Sequence, residues 1–350
     1  MTSRQNFAGI DGFRMAAAFL VVAIHTAPFA RWNITADFLF SYCLARIAVP
    51  FFLMTTGYFI LAPYAKEVLR APGKGNFNRL HRYLRRILLL YGAAILLYLP
   101  VRLYAGSLPA GPWAILKDLI FDGTFYHLWY LPALITGCLL VCFLVKKLGM
   151  HRTGICVFLL YLTGLLGDSY YGLSEMVPPL QMFFRGVFFI STYTRNGVFY
   201  VPIFLYLGMK QAGRAPRAKV GQTVPALLTF LILMLAEGFL TYRFDLQHHN
   251  SMYLFLIPCS VYLFELLRSV PGHAPKSFRN ASLWIYLIHP LVIVVVRGIA
   301  KATGTTAFFV TNNFIHFLTV SAVSALTALP VLWILNRKDL IHVFQKPRLD

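Results

Sequence analysis

In an apolar chain, chemistry has to be sought at the ionisable residues that interrupt its hydrophobic runs. Arg14 and His25 lie in one such run, eleven residues apart. At ~100° per residue the two return to within about 20° of one direction, and they rise roughly 16 Å along a helix. One helix face thus carries a guanidinium near its mouth and an imidazole deep in the span. That pairing suits an anion held at one end and proton transfer at the other. The plainer alternative is a snorkelling arginine with a core histidine bonded to a neighbour.

Other runs carry further candidates. Arg46 stands ahead of Pro50 and Thr55-Thr56-Gly57-Tyr58, where proline and glycine loosen a helix and free backbone groups. Ser282, Tyr286 and His289 recur at i, i+4 and i+7, a polar stripe that ends beside Pro290. Glu237 lies deep in its run, as a core ion pair or a functional group; Glu265 lies near a helix end, solvated or paired. Arg79, Arg82 and Arg86 share one face at i, i+3 and i+7, a surface for polyphosphate or for anionic lipid headgroups. Between hydrophobic runs, Asp122 to Pro132 contains His127, Trp129 and Tyr130, and later segments contain Asp168, Tyr170, Tyr171, Arg195 and Asn196. The aromatic members fit an interface belt. His127, Asp168, Arg195 and Asn196 are polar beyond what a belt needs, and with Trp129 are candidates to line an acceptor or solute entrance.

The elements that must position these groups follow from composition. Of 350 residues, 58% are hydrophobic and only 13% charged, with 32 basic against 12 acidic side chains, a net +20. Mean hydropathy is +0.66 and the pI about 10.0. A soluble surface or a disordered chain cannot be built from this mixture, and a nucleic-acid binder is a poor reading despite the charge. Ten stretches are long and apolar enough to span lipid: 12–30, 38–62, 84–104, 128–146, 153–167, 195–210, 223–241, 252–268, 281–300 and 314–335. Segments around 113–121 and 178–192 read as interfacial or re-entrant; counting one as a span would make eleven. The first stretch is no signal peptide, since it carries Arg14 and His25 and lacks a clean cleavage site.

The basic residues alternate between loops. Taking the N-terminus as cytoplasmic, 22 of the 32 fall on inside segments: Arg4, the 66–86 run, Lys146 to Arg152, Lys210 to Lys219, Arg268 to Arg279, and the tail. Both termini are therefore expected inside. The expected fold is all-α, a polytopic transmembrane bundle forming one domain over 1–350, with a basic cytoplasmic tail at 336–350. The five cysteines lie in or beside apolar runs without CxxC or His/Cys clustering, and read as core residues rather than metal ligands.

Several of these motifs, in this order, resemble the acyltransferase-3 family of integral-membrane acyltransferases. They are Arg14-x10-His25, the run from Val49-Pro50 to Gly57-Tyr58, the basic entry to the third span, His127-Leu-Trp129, and Ser282, Tyr286 and His289. Thr56 stands where the family usually has serine, and keeps the hydroxyl. Within the family, 167–173, 194–197 and 284–290 are similar to the membrane domain of vancomycin-resistance serine/alanine racemases, which is associated with L-serine uptake and is followed by a cytoplasmic pyridoxal-phosphate domain. The chain stops at Asp350, where such a domain would begin, so it is expected to be either a truncated piece or a relative without the racemase.

The resemblance implies two functions. In the first, a cytoplasmic acyl-CoA, with acetyl-CoA the expected donor, places its phosphates on Arg14, Arg79, Arg82 and Arg86. His25 acts as general base on an acceptor reached from the outer face, supported by Arg46, Ser282, Tyr286, His289 and Glu237. In the second, the same polar residues bind or admit L-serine for a racemase, with Arg195 and Asp168 at the mouth and Glu237 deeper. No metal or pyridoxal phosphate is expected in this chain. A bacterial cell membrane, membrane lipids and a cell-envelope acceptor are the expected setting and partners.

Overall fold

A computed structural model describes residues 7–70, 78–213, 220–275 and 277–336. Arg4, Lys74, Arg214, Arg217, Lys219, Lys276 and the basic tail from Arg337 onward lie outside the described residues. Among those described there are helices and turns and no strand. In chain order the principal helices are α1 (Ala8–Thr26), α2 (Ile34–Arg70), α3 (Asn78–Tyr104), α4 (Pro112–Lys117), α5 (Tyr130–Leu166), α6 (Pro178–Ile190), α7 (Val201–Ala212), α8 (Val220–Arg243), α9 (Leu256–Ser269), α10 (Ser277–Ala302) and α11 (Asn313–Asn336).

Seven helices, α1, α2, α3, α5, α8, α10 and α11, are long and apolar enough to cross a membrane. The difference from ten has physical causes. The expected spans 128–146 and 153–167 are the halves of α5, whose 37 residues would extend ~56 Å, nearly twice a ~30 Å hydrocarbon core. Gly149, at φ 72°, breaks it between Lys147 and Arg152. The expected spans 195–210 and 252–268 appear as α7 and α9, of 12 and 14 residues, because each opens with irregular backbone. α1 begins and ends about four residues earlier than the expected span. Arg14 consequently lies in its second turn and His25 in its last, where Ala27 turns left-handed (φ 48°) and Pro28 follows.

The chain divides into two compact units, one made of residues to 41 together with those from 270, the other of residues 42–269. In the first unit α1, α10 and α11 pack around Ala18, Val22, Ile285, Ile288, Val292, Ile293 and Val320. In the second, α2 and α7 approach so closely that glycine is required on both. A methyl group on Gly208 would overlap the Met54 carbonyl, and one on Gly57 that of Leu205. Gly57 also opens a π-helical turn, Gly57–Leu61, which is the loosening that its sequence context suggests. Gly208→Ala should cost about 1–3 kcal/mol through overpacking and lower the melting temperature of the purified protein by several degrees; an unchanged melting curve would contradict this packing.

Candidate functional site

In the first unit, polar side chains gather at two levels of α1. At the N-terminal level Asp11, 6% exposed, accepts from two arginines. Arg279 of α10 donates through Nε at 2.8 Å to Oδ1 and through Nη2 at 2.7 Å to Oδ2, a two-point fork. Arg14 Nε lies 3.3 Å from the same Oδ1. One carboxylate thus steadies two guanidiniums and leaves this end of the unit net positive.

At the other level the His25 and His289 rings stack, with centroids 5.3 Å apart and planes 24° from parallel. The local reason lies in Pro290. A helix amide at 290 would bond the carbonyl of residue 286, but proline has none. His289 fills the place: its Nδ1 lies 2.9 Å from the Tyr286 carbonyl and 3.0 Å from that of Ile285. Carbonyls only accept, so Nδ1 carries the proton and the ring is held in one orientation. Ser282, by contrast, donates to the Arg279 carbonyl of its own helix. His316 repeats the arrangement on α11, with Nδ1 2.9 Å from the Phe309 carbonyl and a buried Nε2 that has no hydrogen-bond partner among the described residues.

In the second unit three acidic residues serve the backbone. Glu237 accepts from the amides of Leu254 (2.6 Å) and Phe255 (2.9 Å), just ahead of α9, and from the Tyr170 hydroxyl (2.9 Å). It is neither an ion pair nor an isolated deep charge. Asp168 Oδ1 accepts from the amides of Ser251 (2.7 Å) and Met252 (2.9 Å). Asp122 holds Thr192 through its amide and hydroxyl. Asn196 spends its amide group on Tyr193, Val198 and Phe199. These four side chains satisfy the irregular backbone before α7 and α9, which lipid does not tolerate unsatisfied. Glu265 is buried and paired, accepting from Gln211, whose carbonyl oxygen in turn accepts from Arg268.

The remaining candidates are distributed as follows. Trp129 is 8% exposed, so it is no belt residue: the Arg195 guanidinium lies 4.9 Å over its ring and 4.9 Å over that of Tyr193. His127 is buried edge-on to Tyr98 at 5.0 Å. Arg46 lies in the second unit, where its Nη2 donates to Asn250 at 2.5 Å. Arg79, Arg82 and Arg86 are exposed on α3. The two parts of the expected phosphate surface, Arg14 and the α3 arginines, belong to different units.

Residue typing alone did not single out Asp11, His249, Asn250, Ser251 or His316. The i,i+3 spacing of Asp11 and Arg14 and the polar run Gln247 to Ser251 were the available signals. His249 sits in that run with Nδ1 2.6 Å from Ser251 Oγ and 3.6 Å from Asp168 Oδ2.

An all-helical membrane protein with polar groups fixed inside its helix packing is the class these features define. The chain belongs to the acyltransferase-3 family: the family's acyltransferase domain matches residues 7–335. It is 36% identical over 340 residues to an amino-acid racemase of Enterococcus faecalis, covering 96% of this chain and 46% of the relative. A second amino-acid racemase of E. faecalis is 40% identical over 325 residues, or 91% and 45% of the two chains. A serine/alanine racemase of Enterococcus gallinarum is 36% identical over 317 residues, or 89% and 44%. The chain thus spans slightly less than half the length of these relatives. No solved structure matches it.

Burial, and next the charge of Arg195, push the His249 pKa from its ordinary 6.5 to about 4, against the pull of Asp168. The unfolded chain therefore takes up this proton below about pH 6.5, and the folded chain only below about pH 4. Stability should fall across that window as pH drops, by up to about 3 kcal/mol from this group. His249→Gln should flatten that part of the curve of melting temperature against pH. Identical curves for the two proteins would contradict the assignment.

Proposed function

We propose that this chain transfers an acyl group from acyl-CoA to a hydroxyl or amine acceptor, with His25 as general base. The observation that carries the proposal is the placement of Arg14 and His25 on one face of α1, with His25 stacked on an orientationally fixed His289. His25 takes the proton of the acceptor as its oxygen or nitrogen attacks the thioester carbonyl carbon; the carbon–sulfur bond breaks and CoA leaves as the thiolate. Arg14, steadied by Asp11 beside Arg279, receives CoA phosphate. In this reading residues 1–350 work as one membrane domain with both termini in the cytoplasm, in a bacterial cell membrane. Acetyl-CoA is the first donor to test.

The names of the relatives favour a second reading. In it, the chain binds or admits a small amino acid such as L-serine, supplying a racemase part of a longer protein.

The two readings separate in purified, lipid-reconstituted protein. Labelled acetyl-CoA turnover should fall roughly 10²–10⁴-fold in His25→Ala, while Arg14→Gln should raise the KM for acetyl-CoA. Full turnover in His25→Ala with an unaltered melting curve would overturn the base assignment. Uptake of labelled L-serine by proteoliposomes without any acetyl-CoA binding would favour the second reading instead.

A further inference from the structure

The second unit contains a cationic centre that the acyl-transfer reading does not use. Arg195, partly buried, is sandwiched between the faces of Trp129 and Tyr193, and its guanidinium has no hydrogen-bond acceptor among the described residues. Among the described residues Arg46, 8% exposed, donates to the neutral amide oxygen of Asn250 and lies over the Tyr42 ring, and its Nε is buried without a hydrogen-bond partner. Arg46 reaches Asn250, and Arg195 lies over Tyr193, whose ring centroid is 4.4 Å from that of His249, so both cations border the same loop.

Beside them lies Asp168, whose Oδ1 is already committed to the amides of Ser251 and Met252. Its Oδ2 is buried with no hydrogen bond, 3.6 Å from His249. Among the described residues neither guanidinium is ion-paired with a carboxylate. Guanidiniums removed from water without acceptors are costly, and a planar anion that accepts from both removes that cost. A carboxylate matches the guanidinium fork.

We infer that Arg46 and Arg195 form a binding site for the carboxylate of a compact monocarboxylic acid, held beside Asn250, His249 and Ser251. Asp168 positions the loop, and its Oδ2 is the group that distinguishes an acid carrying an α-ammonium from one carrying only a hydroxyl. The inference rests on the amino-acid reading only in the choice of one probe. It concerns binding alone, so acyl-CoA turnover and transport can each fail without touching it.

The test is titration of the purified full chain, at low salt, with L-serine and with glycerate, which carries a hydroxyl where serine carries its ammonium. Intrinsic fluorescence is the readout, because Arg195 lies on Trp129. Saturable binding of either acid in the micromolar to millimolar range is expected. Preference for L-serine assigns Asp168 Oδ2 to the ammonium; preference for glycerate assigns a plain carboxylate site, and both support the proposal. Arg195→Lys, which keeps the charge and loses the fork, should weaken binding roughly tenfold or more, as should Arg46→Gln. Melting curves establish that each variant is folded. No saturable binding of either acid by the wild type, or binding unchanged in both folded variants, would overturn the proposal.

Discussion

A missing amide organises the candidate catalytic centre. Pro290 cannot bond the carbonyl of Tyr286, and His289 occupies that carbonyl with its own Nδ1–H, shared with the carbonyl of Ile285. In lipid an unfilled backbone carbonyl costs several kcal/mol, so the ring is held by the same requirement that holds the helix together. His25 then stacks on a ring that does not turn. Far along α1, Asp11 does the corresponding work for Arg14, fixing it beside Arg279. At one end of the helix the imidazole is placed by His289 of α10, and at the other the guanidinium is placed by Asp11, which Arg279 of α10 holds in turn.

The second unit shows the same economy with acids. Asp122, Asp168 and Glu237 accept from backbone amides of the segments that precede α7 and α9, so charges that look functional in a hydrophobic run turn out to shape loops. What they shape is the setting of Arg195 and Arg46, whose own donors are not spent in this way. Burial of a polar group in this protein therefore separates into two kinds. Groups that satisfy the backbone build the scaffold, and donors of Arg46 and Arg195 are left over.

The sequence made the solvent, the helical class and the family legible, because apolar content and run length leave little choice. It also made Arg14, His25 and His289 legible, since spacing on a helix face is local. Paired spans were less readable. Apolar content cannot show that 195–200 and 252–255 leave the helix, because the acceptors responsible, Asn196 apart, are distant in sequence: Asp168 meets Ser251 across 83 residues. Trp129 carried the composition of an interface belt, yet it lies under Arg195, a contact made across 66 positions. Asp11 is inconspicuous for the opposite reason, as an ordinary first-turn acid whose partner on α10 lies 268 residues away.

The claim on which the account of the centre depends is the fixed orientation of His289. Nitrogen-15 spectroscopy of histidine-labelled protein, with His289→Gln used to assign the signal, reads directly which ring nitrogen carries the proton. The account predicts a protonated Nδ1 whose signal shifts when Pro290→Ala returns an amide to the Tyr286 carbonyl. A proton on Nε2 alone, or a signal indifferent to Pro290→Ala, would contradict it.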